Sequence, residues 1–235
     1  MIPIRDNVPT RTFPFVTVGL IVANVLVYFW ENSARGLERN VSAWGYYPCA
    51  VQGPCTTVDA AHHHALVETV FSSMFMHAGI IHLAGNMLFL WIFGNNVEDL
   101  LGRVRFLVWY LAAGIAADAM QTFVTLHWGN AQDASIPNVG ASGAIAAVLG
   151  AYFILVRRGR VLTLFTLGFF FLFRQVPAAV FLGVWIAFQA IEGGLSVTSP
   201  QAGGGVAFFA HIGGFAFGIL TARLLRTRQS LEPRF

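Results

Sequence analysis

Four polar side chains set in apolar surroundings are the residues of this sequence that could do chemistry. Ser142 stands in V-G-A-S-G-A, His211 in F-A-H-I-G-G-F-A-F-G, and His82 and Asn86 in H-L-A-G-N. A serine hydroxyl becomes a nucleophile when a base lies within hydrogen-bond reach. An imidazole can take that proton and later return it to a leaving amine. Peptide hydrolysis also needs donors for the developing oxyanion, each giving about 10²–10³ in rate. The backbone N–H of Ser142, at a helix start, is one candidate donor. The side chains of His82 and Asn86, on one helix face at i, i+4, are two more.

Rival chemistries fail on residue type. The chain has no lysine, so a Ser–Lys pair is impossible. It has no H-E-x-x-H motif for a zinc protease. An aspartyl protease needs two neighbouring carboxylates, yet only Asp118 lies well inside an apolar segment, with Glu192 near the end of another. Asp118 is expected to make a structural hydrogen bond. His62, His63 and His64 read as a solvated loop feature and lack a metal-site spacing with Cys49 and Cys55. No metal or other cofactor is expected. The two cysteines share one loop, where a disulfide and two free thiols both fit.

The elements that must position these residues are membrane helices. Of 235 residues 56% are hydrophobic and 11% charged, against about 25% charged in a soluble domain. The fold class is therefore all-α, a polytopic membrane protein. Apolar runs place six helices at about Phe13–Trp30, Met74–Phe93, Phe106–Leu126, Gly140–Val156, Val176–Glu192 and Val206–Leu225. Residues 1–12 form a short leading segment, 13–226 the membrane domain with a loop at 31–70, and 227–235 a tail. The first run lacks a small-residue cleavage site and reads as an uncleaved helix. The run Val161–Phe173 is too short to span and reads as an interfacial or re-entrant hairpin, with Phe169–Phe173 facing lipid.

All 14 basic residues are arginines, and 12 fall on one side of this arrangement; only Arg35 and Arg39 fall on the other. The positive-inside rule then puts both termini in the cytoplasm and the 31–70 loop outside, in a plasma (inner) membrane. No basic patch interleaved with aromatics points to nucleic acid.

In that orientation the second, fourth and sixth helices all run inward from the outer side. His211 lies about five residues below its helix start, roughly 8 Å, with His82 at a similar depth and Ser142 just inside its own helix. Lipid penalises each such group, so a water-accessible cavity opening outward is expected. His211, Gly214 and Gly218 share one helix face; Ser142, Ala146 and Gly150 share another, with Gly143 and Ala147 beside them. Small residues at this spacing let two backbones approach closely, so the packing seam also carries the serine and the histidine.

H-L-A-G-N at 82–86, G-A-S-G-A at 140–144, A-H-I-G-G-F-A-F-G at 210–218 and G-N-N-V-E-D-L-L-G at 94–102 occur in this order across the six spans. Together they resemble the rhomboid intramembrane serine proteases over nearly the whole chain. The resemblance implies Ser142 as nucleophile and His211 as base, a dyad that needs no acid. It implies His82, Asn86, Gly140 and the Ser142 amide as the oxyanion and substrate-binding set, and His77 as a structural histidine. It implies that Glu98 and Gly102 shape the turn after the second helix. Substrates would be single-pass transmembrane proteins in the bilayer, cut near the outer boundary after a small residue, with the fifth helix as lateral gate. Two features depart from the pattern. Ala146 stands where some members stack an aromatic on the base, so something else must orient His211. The first loop lacks the Trp-Arg pair of some members.

A catalytically silent adaptor that binds client helices is the alternative, and would need neither Ser142 nor His211. A small transporter fits less well, because the polar groups sit high on one side and the two halves show no clear repeat.

Overall fold

The structure, a computed structural model, describes residues 1–33, 36–53, 55, 64–167, 170–198 and 207–227. The elements run β1 (Ile2–Asp6), α1 (Phe15–Ser33), α2 (Leu37–Trp44), α3 (Leu66–Ser73), α4 (Ile80–Leu101), α5 (Arg103–Trp128), α6 (Ser142–Leu155), β2 (Arg160–Leu167), β3 (Phe170–Pro177), α7 (Ala178–Thr198) and α8 (Phe208–Leu225). Helices α1, α4, α5, α7 and α8 are long and apolar enough to cross a membrane, and α6 is a shorter apolar helix of 14 residues. These are the six expected helices. Helix α6 is apolar all round, which suits a position enclosed by protein: every residue from Gly143 to Tyr152 is buried, and α5 and α8 pack against it.

Helix α6 and helix α8 approach through glycine. A methyl group on Gly214 would strike the Gly143 carbonyl oxygen, one on Gly218 the Ala147 carbonyl oxygen, and one on Gly150 the Phe215 carbonyl oxygen. The small-residue seam expected between these two helices is therefore present as backbone contact.

Two expectations are corrected. The second span does not start at Met74. α3 ends at Ser73, the stretch through Met76 and His77 is irregular but buried, and α4 begins only at Ile80. At its other end α4 continues, through a π-helical turn at Leu90–Gly94, to Leu101. The polar residues of 95–99 stay helical because other elements satisfy their side chains. Glu98 accepts hydrogen bonds from Val16 N (3.1 Å), Thr17 N (2.7 Å) and Thr17 Oγ1 (2.8 Å), which caps α1. Asp99 accepts from Arg11 N and Thr12 Oγ1. The chain then turns at Gly102, whose φ of 82° favours glycine.

The second correction concerns Val161–Phe173. The segment does form a hairpin, but a β-hairpin extended by the N-terminal strand into an antiparallel sheet of order β1-β2-β3, so the fold is mostly rather than wholly helical. Ile2 pairs with Leu164 and Asp6 with Val161, while Thr163 pairs with Arg174. Within β2, Val161 and Thr163 are fully buried and Leu162 and Leu164 less so, the alternation of a strand with one covered face. Phe170, Phe171 and Phe173 are exposed, as a lipid-facing segment would be; Phe169 lies outside the described residues.

The sheet, the start of α1 and the end of α8 share one end of the bundle. There Thr227 N donates to Leu100 O, and Asp6 Oδ2 accepts from Asn96 Nδ2 and Tyr152 Oη, each at 2.7 Å. Burial pushes the Asp6 carboxyl up to about 6. This arginine-rich end carries Arg5, Arg11, Arg103, Arg105, Arg157 and Arg158 among others. The opposite, loop end carries α2, α3 and the disulfide Cys49–Cys55, which settles the two readings of that pair (Cα–Cα 5.4 Å). His64 stacks on Trp44 and lies 3.3 Å from Glu68, so it is packed rather than merely solvated; His62 and His63 lie outside the described residues.

Candidate active site

Ser142 opens α6 and His211 lies in the first turn of α8. The glycine seam brings the two helix starts together, and Ser142 Oγ stands 2.8 Å from His211 Nε2. The start of α8 is fixed from a third helix. Gln121 Oε1 on α5 accepts from Phe209 N and Ala210 N, both at 3.1 Å, satisfying donors that a helix start leaves free.

The segment before Ser142 is pinned at the loop end. Tyr46 and Asn138 exchange two backbone hydrogen bonds, Gly140 N donates to Ser73 O (2.8 Å), and Tyr46 Oη meets Thr122 Oγ1 at 2.6 Å. Gly140 has a φ of 129°, a conformation side chains rarely adopt, and a β-carbon there would lie 2.8 Å from His82 Cε1. Its bare backbone therefore lets the His82 ring approach the start of α6. The His82 ring lies 5.1 Å from that of His77, which is fully buried beneath the first loop. Burial, together with the neighbouring His82, pulls the His77 imidazole down to about 4.

Asn86 lies on α4 one turn beyond His82. Its Nδ2 is buried and has no hydrogen-bond partner among the described residues. Buried donors are usually satisfied, and one left open next to a reactive group calls for an explanation. Ser142, His211, His82 and Asn86 line one cavity of about 640 Å³, with Trp185 and Gln189 of α7 also on its wall. α4 and α7 meet at Phe89 and Phe181, with ring centroids 6.3 Å apart. The four side chains singled out in the sequence thus share one cavity, and Gly140 lies against His82.

Three residues at the site escaped the sequence reading. His211 Nδ1 stands 2.7 Å from Gln189 Oε1, and the Trp185 ring lies 5.7 Å from the imidazole. With Gln121, these are polar or amphipathic side chains inside apolar spans, the signal that singled out His82 and Asn86. Asp118 is corrected: its Oδ2 is buried without a hydrogen-bond partner among the described residues, beside a small cavity of about 20 Å³ that it shares with Asn138, Gly140 and Ser142. Among the described residues no group of three or more His, Cys, Asp or Glu side chains is placed to hold a metal ion.

Chemically, the arrangement offers a hydroxyl in contact with an imidazole, the free N–H groups of a helix start beside it, and an unsatisfied amide donor across the cavity. The family model for the Rhomboid domain matches residues 65–228. The mitochondrial presenilin-associated rhomboid-like protein of Homo sapiens is 29% identical over 205 residues, covering 86% of this chain and 46% of that protein. The mitochondrial rhomboid protein 1 of Saccharomyces cerevisiae is 30% identical over 154 residues, 65% of this chain and 40% of its own length. Rhomboid protease GluP of Bacillus subtilis is 42% identical over 93 residues, 40% of this chain and 17% of its own. The chain spans less than half the length of these curated relatives.

Proposed function

The chain belongs to the rhomboid family, and from that premise we propose that it is an intramembrane serine endopeptidase that cleaves transmembrane segments with Ser142 and His211. The observation that carries the reading is the 2.8 Å contact between Ser142 Oγ and His211 Nε2 inside a large cavity between membrane helices. A relative, GluP, is named a rhomboid protease.

In the proposed reaction His211 Nε2 takes the hydroxyl proton as Ser142 Oγ attacks the scissile carbonyl carbon. The carbonyl oxygen becomes an oxyanion that accepts hydrogen bonds from the Ser142 N–H, Asn86 Nδ2 and His82. Asn86 Nδ2, unpartnered in this structure, gains its acceptor at that moment. The C–N bond then breaks, and His211 returns the proton to the leaving amine. Water, deprotonated by the same imidazole, attacks the acyl carbon; the bond from that carbon to Ser142 Oγ breaks, His211 returns the proton to Oγ, and the second product leaves as a carboxylic acid.

Substrates are single-pass transmembrane proteins, which reach the cavity from the bilayer between α4 and α7. The arginine asymmetry supports an orientation with both termini on one side, the cytoplasmic side of a plasma (inner) membrane in this reading, and the cavity facing the other. The test is to reconstitute the protein in liposomes with a panel of single-pass substrates and to identify products by mass spectrometry. Cleavage within or just outside the apolar segment, lost in Ser142→Ala, is expected. A folded protein that cleaves none of them while holding them in stable complexes would instead support the adaptor.

A further inference from the structure

The proposed chemistry demands one tautomer of His211. Nε2 must offer its lone pair to the Ser142 hydroxyl, so the ring proton must sit on Nδ1. The ring's other contact bears on this directly: Nδ1 lies 2.7 Å from Gln189 Oε1. A carboxamide oxygen has no proton to give and only accepts. That contact forms only when Nδ1 carries the hydrogen. Gln189 is 8% exposed, so little water competes for the bond. One turn earlier on α7, Trp185 sets its ring 5.7 Å from the imidazole at 41°.

The support comes from α7, since α6 offers only a methyl group at position 146. Ala146, four residues after Ser142, is fully buried, and a β-carbon on Gly214 would already lie 3.2 Å from its methyl. Titratable groups on the elements around the imidazole include His82 on α4, Asp118, Tyr110 and His127 on α5, Tyr152 on α6 and Glu192 on α7. Among the described residues none of them is hydrogen-bonded to Nδ1, and Gln189 alone is.

We propose that Gln189 is the positioning residue of the base, holding the His211 proton on Nδ1 so that Nε2 faces Ser142. The role rests on the Ser142–His211 reading and deepens it. Because α7 carries the acceptor while α8 carries the imidazole, moving α7 away from α8 disarms the base.

The test compares wild type, Gln189→Leu and Gln189→Glu as full-length protein in detergent. The leucine keeps the approximate size and removes the acceptor; the glutamate keeps an oxygen at the same reach. Three quantities are read: the labelling rate by a small fluorophosphonate, kcat and KM for a transmembrane substrate, and the ¹⁵N imidazole shifts that report the tautomer. Gln189→Leu is expected to slow labelling and kcat alike, by about 10–100-fold, with KM within about twofold and a mixed tautomer signal. Gln189→Glu is expected to restore labelling to within about threefold of wild type. The proposal is overturned if Gln189→Leu is labelled at the wild-type rate, or if only the bulky substrate is affected, which marks a packing role. If Gln189→Leu does not fold, wild type alone decides: a His211 proton on Nε2 rules the proposal out. If wild type takes no label at all, the protease reading fails. The tautomer signal then judges Gln189 separately, a proton on Nδ1 in wild type but not in Gln189→Leu supporting it and an unchanged signal refuting it.

Discussion

At the arginine-rich end of the bundle, Glu98 accepts three hydrogen bonds from segments distant in sequence, and Asp99 and Asp6 at least two each. At the loop end, Asn86 Nδ2, Asp118 Oδ2, Asn138 Nδ2 and both ring nitrogens of His77 are buried without partners among the described residues. The division is not absolute, since Asn96 Oδ1, Asn24 Oδ1, Glu31 Oε1 and Tyr110 Oη are also unpartnered among the described residues. Unmet buried groups destabilise, by about 1–3 kcal/mol each, so their concentration around the reactive pair has an energetic meaning. One end staples the chain; the other, on the proposed function, keeps hydrogen-bonding capacity free for a reaction. Mutations at the two ends should therefore separate activity from stability.

The largest effects belong to the cavity. His211→Ala should lower kcat/KM by about 10²–10⁴-fold, with thermal unfolding in detergent nearly unchanged. Asn86→Ala should lower kcat by about 10²–10³-fold, yet the unfolding temperature should hold or rise, because a buried donor without a partner has been removed. A fall in stability equal to that of a truncated core polar group would erase the contrast between the two ends.

The stapling end should behave in the opposite way. Glu98→Ala removes the cap of α1 and should cost about 2 kcal/mol of stability, read as a lower unfolding temperature, while kcat of the folded fraction stays within about twofold. The smallest effect is a slope. The Asp6 carboxyl titrates at about 6 when folded, above its ordinary value near 4. Between those values the folded protein holds a proton on Asp6 that the unfolded chain has released, so the Asp6 contribution to stability falls as pH rises from about 4 through about 6, against the opposite contribution of His77, which the unfolded chain protonates in that range. The expected amplitude is on the order of 1–2 kcal/mol after solvent screening. Asp6→Asn should flatten it in unfolding temperatures measured across that range.

Much of the loop end was legible in the sequence because its signals are local. Ser142 and His211 stand in glycine-rich runs whose spacing gives both the helix seam and the polar pair, and H-L-A-G-N puts two polar groups on one helix face. The sheet was not legible, because the partner of β2 is the N-terminal strand, about 160 residues away in sequence, and a lone apolar run carries no record of a distant edge. The register of α4 was misread for a related reason. Met74 and Met76 are apolar enough to continue a span but are used to plug the base of the loops, and the polar residues of 95–99 look like a turn until their partners on β1 and α1 are known. Gln189 carried a visible signal, a lone amide in an apolar helix, but its partner is fixed only by how α7 packs on α8.

The most direct test of Ser142 as a nucleophile activated by His211 is covalent. The purified protein is treated with a fluorophosphonate, digested, and the modified peptide sequenced by mass spectrometry. One adduct is expected, on Ser142, absent from Ser142→Ala and strongly diminished in His211→Ala. A folded protein that takes no adduct, or takes it on another serine at undiminished rate in His211→Ala, would contradict it.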